Sequence, residues 1–492
     1  MFYTSTRNKD LKVTASEAIT KGISDEGGLF VPCEIPSLSR DDIDALIPLS
    51  YKERAKKILS LYLTDFTAEE IDYCVEGAYR DGKFESGNPA PVVNLHDHTN
   101  ILQLFWGPTC AFKDMALQLL PYLLTTASKK AAPDKEIVIL VATSGDTGKA
   151  ALEGFKDVPG TRILVFYPDQ GVSAMQKLQM QTQEGKNVGV CAIEGNFDDA
   201  QTGVKKIFTD KRIADVLAEN NMMFSSANSI NWGRLVPQVV YYCSAYCDMV
   251  AQGEIFLGES IDVVVPTGNF GNILAAYYAK QMGIPIRKLV CASNQNNVLT
   301  DFLTTGTYDR NRDFYLTTSP SMDILISSNL ERLLFHLSDE NDEEIRGYMS
   351  ALIESGKYTV SDKILSAISD DFIAGYATEQ EDADTIKSTF DMGYLTDTHT
   401  AIALAVHNKT TDETPTVVVS TASAYKFPKA VLTAISGSVP EMDELSMADE
   451  LSNITGTHIP IPLKGLRERE VRFNSVSKVE DMEQCVYDML GI

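Results

Sequence analysis

The sequence predicts an α/β protein built on open, mostly parallel sheets with helices on both faces. Two observations carry this. From about residue 135, near-continuous apolar runs recur: "EIVILVAT", "TRILVFYP", "NVGVCAIEG", "MMFSSAN", "IDVVVPTG", "IRKLVCASN" and later "TPTVVVSTAS". Such runs mark strands buried on both faces. They are separated by helical stretches long enough to carry one parallel strand to the next. The chain has 492 residues, 44% hydrophobic and 23% charged, a globular balance whose length suggests about three or four domains.

Taken in order, residues 1–95 differ in pattern from the rest of the chain. "VTASEAITKGISDEGGLFVPCEIPSL" leads to helical "YKERAKKILSLYL" and "TAEEIDYCVEGAYRDGKF", and "SGNPAPVV" closes the segment, so a separate N-terminal domain is expected there. Residues 96–300 carry the α/β core, with a smaller subdomain at about 115–235. Within it "DDAQTGVKKIFTDKRIADVLAEN" spaces Val204, Ile207, Phe208, Ile213 and Val216 as one amphipathic helix. "GRLVPQVVYYCSAYCDMVAQG" is a more buried helix, in which Cys243 and Cys247 read as core residues. Residues 301–395 are acidic and helical, without buried-strand runs, and are expected to form an inserted helical subdomain. Residues 396–492 return to the large α/β domain and end in a C-terminal segment.

Composition excludes several classes. The formal net charge is −25, and a nucleic-acid partner needs a basic footprint. No run of eighteen apolar residues is present and the N-terminus is polar, so neither a membrane span nor a signal peptide is expected. Eight scattered cysteines fit a reducing compartment, and a cytoplasmic location is expected. His96 and His98 lack a ligand cluster, so no metal is expected.

Two strand-loop-helix turns could hold an anion. One contains Thr143, Ser144, Gly145, Asp146, Thr147 and Gly148; the other contains Thr267, Gly268, Asn269, Phe270, Gly271 and Asn272. Glycine permits close backbone approach, and the first amides of a helix have no internal partner. Neither turn is a nucleotide loop. Thr143 and Ala150 stand where a P-loop needs Gly and Ser or Thr, and the GxGxxG spacing is missing.

"GPTCAFKD" places Lys113 at the head of the helical "KDMALQLL". Desolvation and the positive end of a helix both lower a lysine pKa, which is the condition for a nucleophilic amine. The structural alternative is that Lys113 pairs with Asp114 or extends to water. An amine together with a phosphate-binding loop suits pyridoxal 5′-phosphate.

"GPTCAFKD", "ATSGDTGKAA", "NSINWGRL", "PTGNFGNILAAYYAKQMG" and "STASAYKFP" occur in the order and approximate spacing found in the threonine synthase family. The N-terminal "YTSTRN…VTASEAITKGISDEGGLFVP" resembles the N-terminal domain of that family. The resemblance implies a fold type II, tryptophan-synthase β-like enzyme. It would convert O-phospho-L-homoserine and water to L-threonine and phosphate. Carried over residue by residue, it assigns cofactor attachment and proton transfer to Lys113. The cofactor phosphate falls to Gly268, Asn269, Phe270, Gly271 and Asn272, and the pyridine nitrogen to Thr421.

Asp146 stands where several sister families place an asparagine against the 3′-oxygen of the cofactor. A carboxylate cannot donate to that oxygen, so Asp146 is expected to act through Lys113, water or the loop backbone. Thr143, Ser144 and Thr147 would take the substrate carboxylate, and Asn228, Ser229 and Arg234 its phosphate. His399 reads as structural. A monomer or homodimer is implied. Other enzymes of this cofactor frame lack the "SINxxR" element, whereas a phospho-lyase that makes no threonine and a non-catalytic binding relative stay open.

Overall fold

The computed structural model describes residues 1–492 except 132, 133, 144, 171, 411 and 440. Two sheets organise the molecule. A six-stranded sheet runs in the order Phe372–Tyr376, Ile286–Ser293, Ile261–Pro266, Thr416–Ser420, Thr99–Gln103, Val92–His96. All its neighbours are parallel except the final pair. A five-stranded, fully parallel sheet runs Val476–Ser477, Val188–Ile193, Thr161–Pro168, Glu136–Ala142, Met222–Ser225. Its central strands are buried almost throughout, as continuous Val, Ile and Leu runs require when helices cover both faces. The α/β class with mostly parallel sheets is therefore what the chain adopts.

Three details depart from the sequence expectation. The amphipathic stretch after residue 196 is two helices, Phe197–Thr209 and Lys211–Glu219. Asp210 leaves helical geometry and caps the second through its carboxylate, which accepts the Arg212 amide at 2.8 Å. Within the acidic stretch 301–395, Phe372–Tyr376 is a parallel edge strand paired with Leu289–Ser293. It escapes a hydrophobicity reading because it is short, half exposed and contains Gly375. The chain end also joins the five-stranded sheet, through Val476–Ser477 and the helix Met482–Leu490, whose Met482, Val486 and Leu490 pack with Val138, Leu140 and Leu164.

The N-terminal antiparallel sheet (Asn8–Val13, Tyr3–Ser5, Phe30–Pro32) leans on the long helix Trp232–Gln252. The Tyr3 and Tyr62 rings lie 5.3 and 5.7 Å from that of Trp232, within the range of favourable aromatic pairs. Cys243 and Cys247 on this helix are fully buried. The buried Arg332 ties three regions together: Nε donates to the Phe30 carbonyl at 2.9 Å, Nη2 to the Ile230 carbonyl at 2.5 Å and Nη1 to Asn329. No described helix is long and apolar enough to cross a membrane.

Candidate active site

The sequence after the strand Thr99–Gln103 turns sharply and starts the short helix Lys113–Leu117. Two bonds fix this turn to the end of the strand Thr416–Ser420: the Phe112 amide donates to the Thr421 carbonyl at 2.7 Å, and Ala111 bridges Ala422. Asp114 does not pair with Lys113. It turns back to accept the Thr109 amide at 2.8 Å and the Thr109 hydroxyl at 2.7 Å, and burial raises its pKa to about 6.

Lys113 is consequently aimed inward. Its side chain is 12% exposed, with Nζ 3.9 Å from Asp146 and donating to Ser321 Oγ at 3.1 Å. Burial holds its pKa below the ordinary lysine value; Asp146 opposes this, while Lys426 and Arg234 reinforce it. The amine is thus biased toward its neutral, nucleophilic form.

Asp146 opens the helix Asp146–Phe155. Burial alone would raise its pKa, but Lys426, Lys113 and the Gln176 amide hold it well below the usual carboxylate range. Lys426 Nζ lies 2.7 Å from Asp146 Oδ1 and donates to the Thr109 carbonyl at 2.9 Å; its side chain is fully buried. Gln176 Nε2 donates to the same Oδ1 at 2.8 Å. The helix packs closely on the end of Lys113–Leu117 because residue 154 is glycine: a Cβ there would lie 2.0 Å from the Leu117 carbonyl oxygen.

The second turn succeeds the strand Ile261–Pro266. Phe270 adopts φ 63° in the left-handed region before the helix Gly271–Gln281, leaving the first helix amides without intrahelical acceptors. The turn is anchored from below, where Ser327 Oγ donates to the Gly268 carbonyl at 2.8 Å and Asn329 Nδ2 to that of Asn269 at 3.0 Å. Asn272 accepts the Tyr241 and Tyr242 hydroxyls at 2.5 and 2.6 Å, while its buried Nδ2 has no partner. Gly268 is needed for contact: a Cβ would sit 2.6 Å from the Ser321 carbonyl oxygen.

Arg234, on the first turn of Trp232–Gln252, is 4% exposed. Nη1 donates to the Ala227 carbonyl at 2.5 Å, Nε has no partner, and no ion pair with a carboxylate forms among the described residues. Burial lowers its pKa to about 10, still far above neutrality. It is a buried cation without a counter-ion among the described residues.

Among the remaining expected residues, Thr421 lies buried at the strand end beside Phe112. Thr147 is half-buried, Asn228 exposed and Ser229 half-buried. Thr143 does not present a free hydroxyl, since Oγ1 accepts the Gly145 and Gly148 amides at 3.0 and 2.9 Å and so shapes the turn. Ser144 lies outside the described residues. Sequence reasoning misses Lys426, Gln176 and Ser321. The demand of Asp146 for a counter-cation is the clue to Lys426, which sits in "STASAYKFP". His399 comes close to the site: its Nε2 accepts the Ser321 amide at 3.2 Å and its Nδ1 lies 2.8 Å from Asp397. No group of three or more His, Cys, Asp or Glu able to hold a metal exists among the described residues.

A buried, pKa-depressed amine, a turn that opens a helix with its first amides lacking intrahelical acceptors, and a mostly parallel α/β frame fit the class of pyridoxal-phosphate-dependent enzymes. Residues 103–423 match the family described as pyridoxal-phosphate dependent enzyme, residues 2–79 the threonine synthase N terminus, and residues 400–486 the threonine synthase C-terminal region. The chain belongs to the threonine synthase family. It is 34% identical to threonine synthase of Schizosaccharomyces pombe, covering 98% of this chain and 97% of that protein. A crystal structure of PLP-bound threonine synthase from Brucella melitensis superposes with TM-score 0.89 at 38% identity, covering 99% of both chains. Identity to threonine synthase-like 1 of Homo sapiens is 43% over 96% of this chain, which spans 64% of the length of that relative.

Proposed function

We propose that the chain converts O-phospho-L-homoserine and water to L-threonine and phosphate, a carbon–oxygen lyase reaction on a phosphate ester. The observation that supports this most is Arg234, a buried guanidinium with an unpartnered Nε and no carboxylate, close enough that its charge lowers the pKa of Lys113. Leaving such a charge unpaired is costly, and a phosphate ester matches its planar donor fork.

Gly268, Asn269, Phe270, Gly271 and Asn272 would hold the cofactor phosphate, Lys113 its aldehyde carbon and Thr421 its ring nitrogen. Bound pyridoxal phosphate supplies the electron sink that makes hydrogens near the amino carbon acidic. Lys113, released as a neutral amine, takes and returns those protons. Asp146, kept ionised by Lys426, steadies the charge beside it. A threonine hydroxyl at the ring nitrogen cannot carry a counter-charge as a carboxylate would, which moderates the sink and favours elimination and replacement. Arg234, with Asn228 and Ser229, would grip the phosphate until it leaves. Thr147 and Ser144 would receive the carboxylate near a helix N-terminus.

A second reading is phosphate elimination without threonine formation, since the same lysine and phosphate grip serve the elimination and only the later addition of water differs. Both readings are tested by incubating the purified, cofactor-loaded protein with O-phosphohomoserine and following phosphate and threonine together. Equal release supports the first reading, and phosphate without threonine the second. Neither product, with cofactor bound, sinks both and leaves a binding relative. A cytoplasmic monomer or homodimer, without nucleic-acid or membrane partners, completes the proposal.

A further inference from the structure

Ser321 spends each of its polar atoms on a different part of the site. Its amide donates to His399 Nε2 at 3.2 Å, its hydroxyl accepts from Lys113 Nζ at 3.1 Å, and its carbonyl packs where residue 268 has no side chain. It sits in a short 3-10 turn, Pro320–Met322, 208 positions from Lys113.

What holds that turn is a buried chain of bonds. Because His399 Nε2 accepts an N–H, its proton is on Nδ1, which faces Asp397 at 2.8 Å. Asp397, fully buried, also accepts the His399 amide at 3.0 Å and the Thr400 amide at 3.1 Å, and the Thr400 hydroxyl. The His399 ring lies 4.9 Å from that of Phe427, beside Lys426. So rigid an array is more than a single surface-loop serine needs.

We propose that Ser321 is a further residue of the proton-transfer site, aiming the Lys113 amine through its hydroxyl, and that His399 is a positioning residue acting through the Ser321 amide. A neutral amine has two N–H groups and one lone pair. Fixing one N–H on Ser321 Oγ directs the lone pair at the reacting carbon, and errors of about 1 Å in such placement cost about 100-fold in rate. The same contact stabilises the protonated nitrogen, since the hydroxyl oxygen accepts from it.

The inference rests on the proposed reaction, and its test separates the two. Holoprotein carrying Ser321→Ala is expected to lose about 30- to 100-fold in kcat for phosphate release, in keeping with lost orientation, with little change in KM. The pH midpoint of the visible cofactor band, which tracks protonation of the Lys113 nitrogen, should move to lower pH. Ser321→Thr should restore both. His399→Ala should reproduce part of the kcat loss, and His399→Gln, whose amide oxygen can accept the Ser321 N–H, should recover it. Should Ser321→Ala fold poorly, Ser321→Cys keeps the volume with a weak acceptor and should show the same shift. An unchanged kcat and midpoint in a folded Ser321 variant overturns the role of Ser321, and wild-type behaviour of His399→Ala overturns that of His399. If the wild type releases no phosphate, the substrate reading fails, while the spectral midpoint still decides whether Ser321 contacts the amine.

Discussion

Two buried charge sites act on Lys113, the Asp146 cluster and the lone Arg234, and they are built on opposite plans. On one side Asp146 is matched by Lys426 at 2.7 Å and by the Gln176 amide. On the other Arg234 has a single carbonyl acceptor, an unpartnered Nε and no acid among the described residues. The balanced cluster is scaffolding whose members are costly to remove singly, because the survivor is a lone buried charge. The unbalanced site is where the fold leaves a buried charge without a counter-ion among the described residues, at a cost in stability.

The largest effect expected from breaking this contrast lies between the clusters. Lys113→Ala should abolish the visible cofactor band and lower phosphate release by at least about 1000-fold, the scale of a lost acid–base group; measurable turnover near wild type would defeat the assignment. Next, Arg234→Gln should lower kcat/KM for O-phosphohomoserine by about 10- to 100-fold, the worth of charge-assisted hydrogen bonds. Its thermal midpoint should stay equal or rise, since an uncompensated buried charge is removed and only the Ala227 carbonyl loses a donor. A large drop in melting temperature would show that Arg234 is scaffolding after all.

Lys426→Met should instead act on folding, destabilising by about 3–5 kcal/mol in urea unfolding because Asp146 loses its nearest counter-charge and keeps only the Gln176 amide and the more distant Lys113. Adding Asp146→Asn should recover much of that loss, and strict additivity would deny the coupling. The smallest change is Gln176→Leu, about 1.5 kcal/mol for one hydrogen bond to a charged group whose main partner remains.

Asp146 and Arg234 also steer pH dependence in opposite directions. Burial and the two cations lower the Lys113 pKa and Asp146 raises it. Only the neutral amine condenses with an aldehyde, so cofactor uptake by stripped protein should rise with pH and level off below the ordinary lysine range. Arg234→Gln removes a cation and should move that midpoint up; Asp146→Asn removes an anion and should move it down. Uptake rates read by absorbance would report both shifts.

Much of the frame is legible in the amino-acid order. The runs 136–142, 161–168, 261–266 and 416–420 are buried along their length, and a continuous apolar run has few other uses. Phe372–Tyr376 and Val476–Ser477 are not legible, because an exposed or two-residue edge strand is defined by its partner rather than by its own pattern. At the site, Lys113 and the Gly268–Asn272 turn stand out through local chemistry. Thr143 is legible as a turn residue, yet not the inward use of its hydroxyl by two neighbouring amides.

By itself the sequence determined the sheet class and singled out the lysine and the arginine proposed here for the chemistry and for phosphate, since burial pattern and motif are properties of neighbouring residues. Only the tertiary structure decided which charges are matched. Lys426 meets Asp146 and Ser321 meets Lys113 across 280 and 208 positions, and a charge in low dielectric is governed by what lies within a few ångströms of it, which chain order does not record.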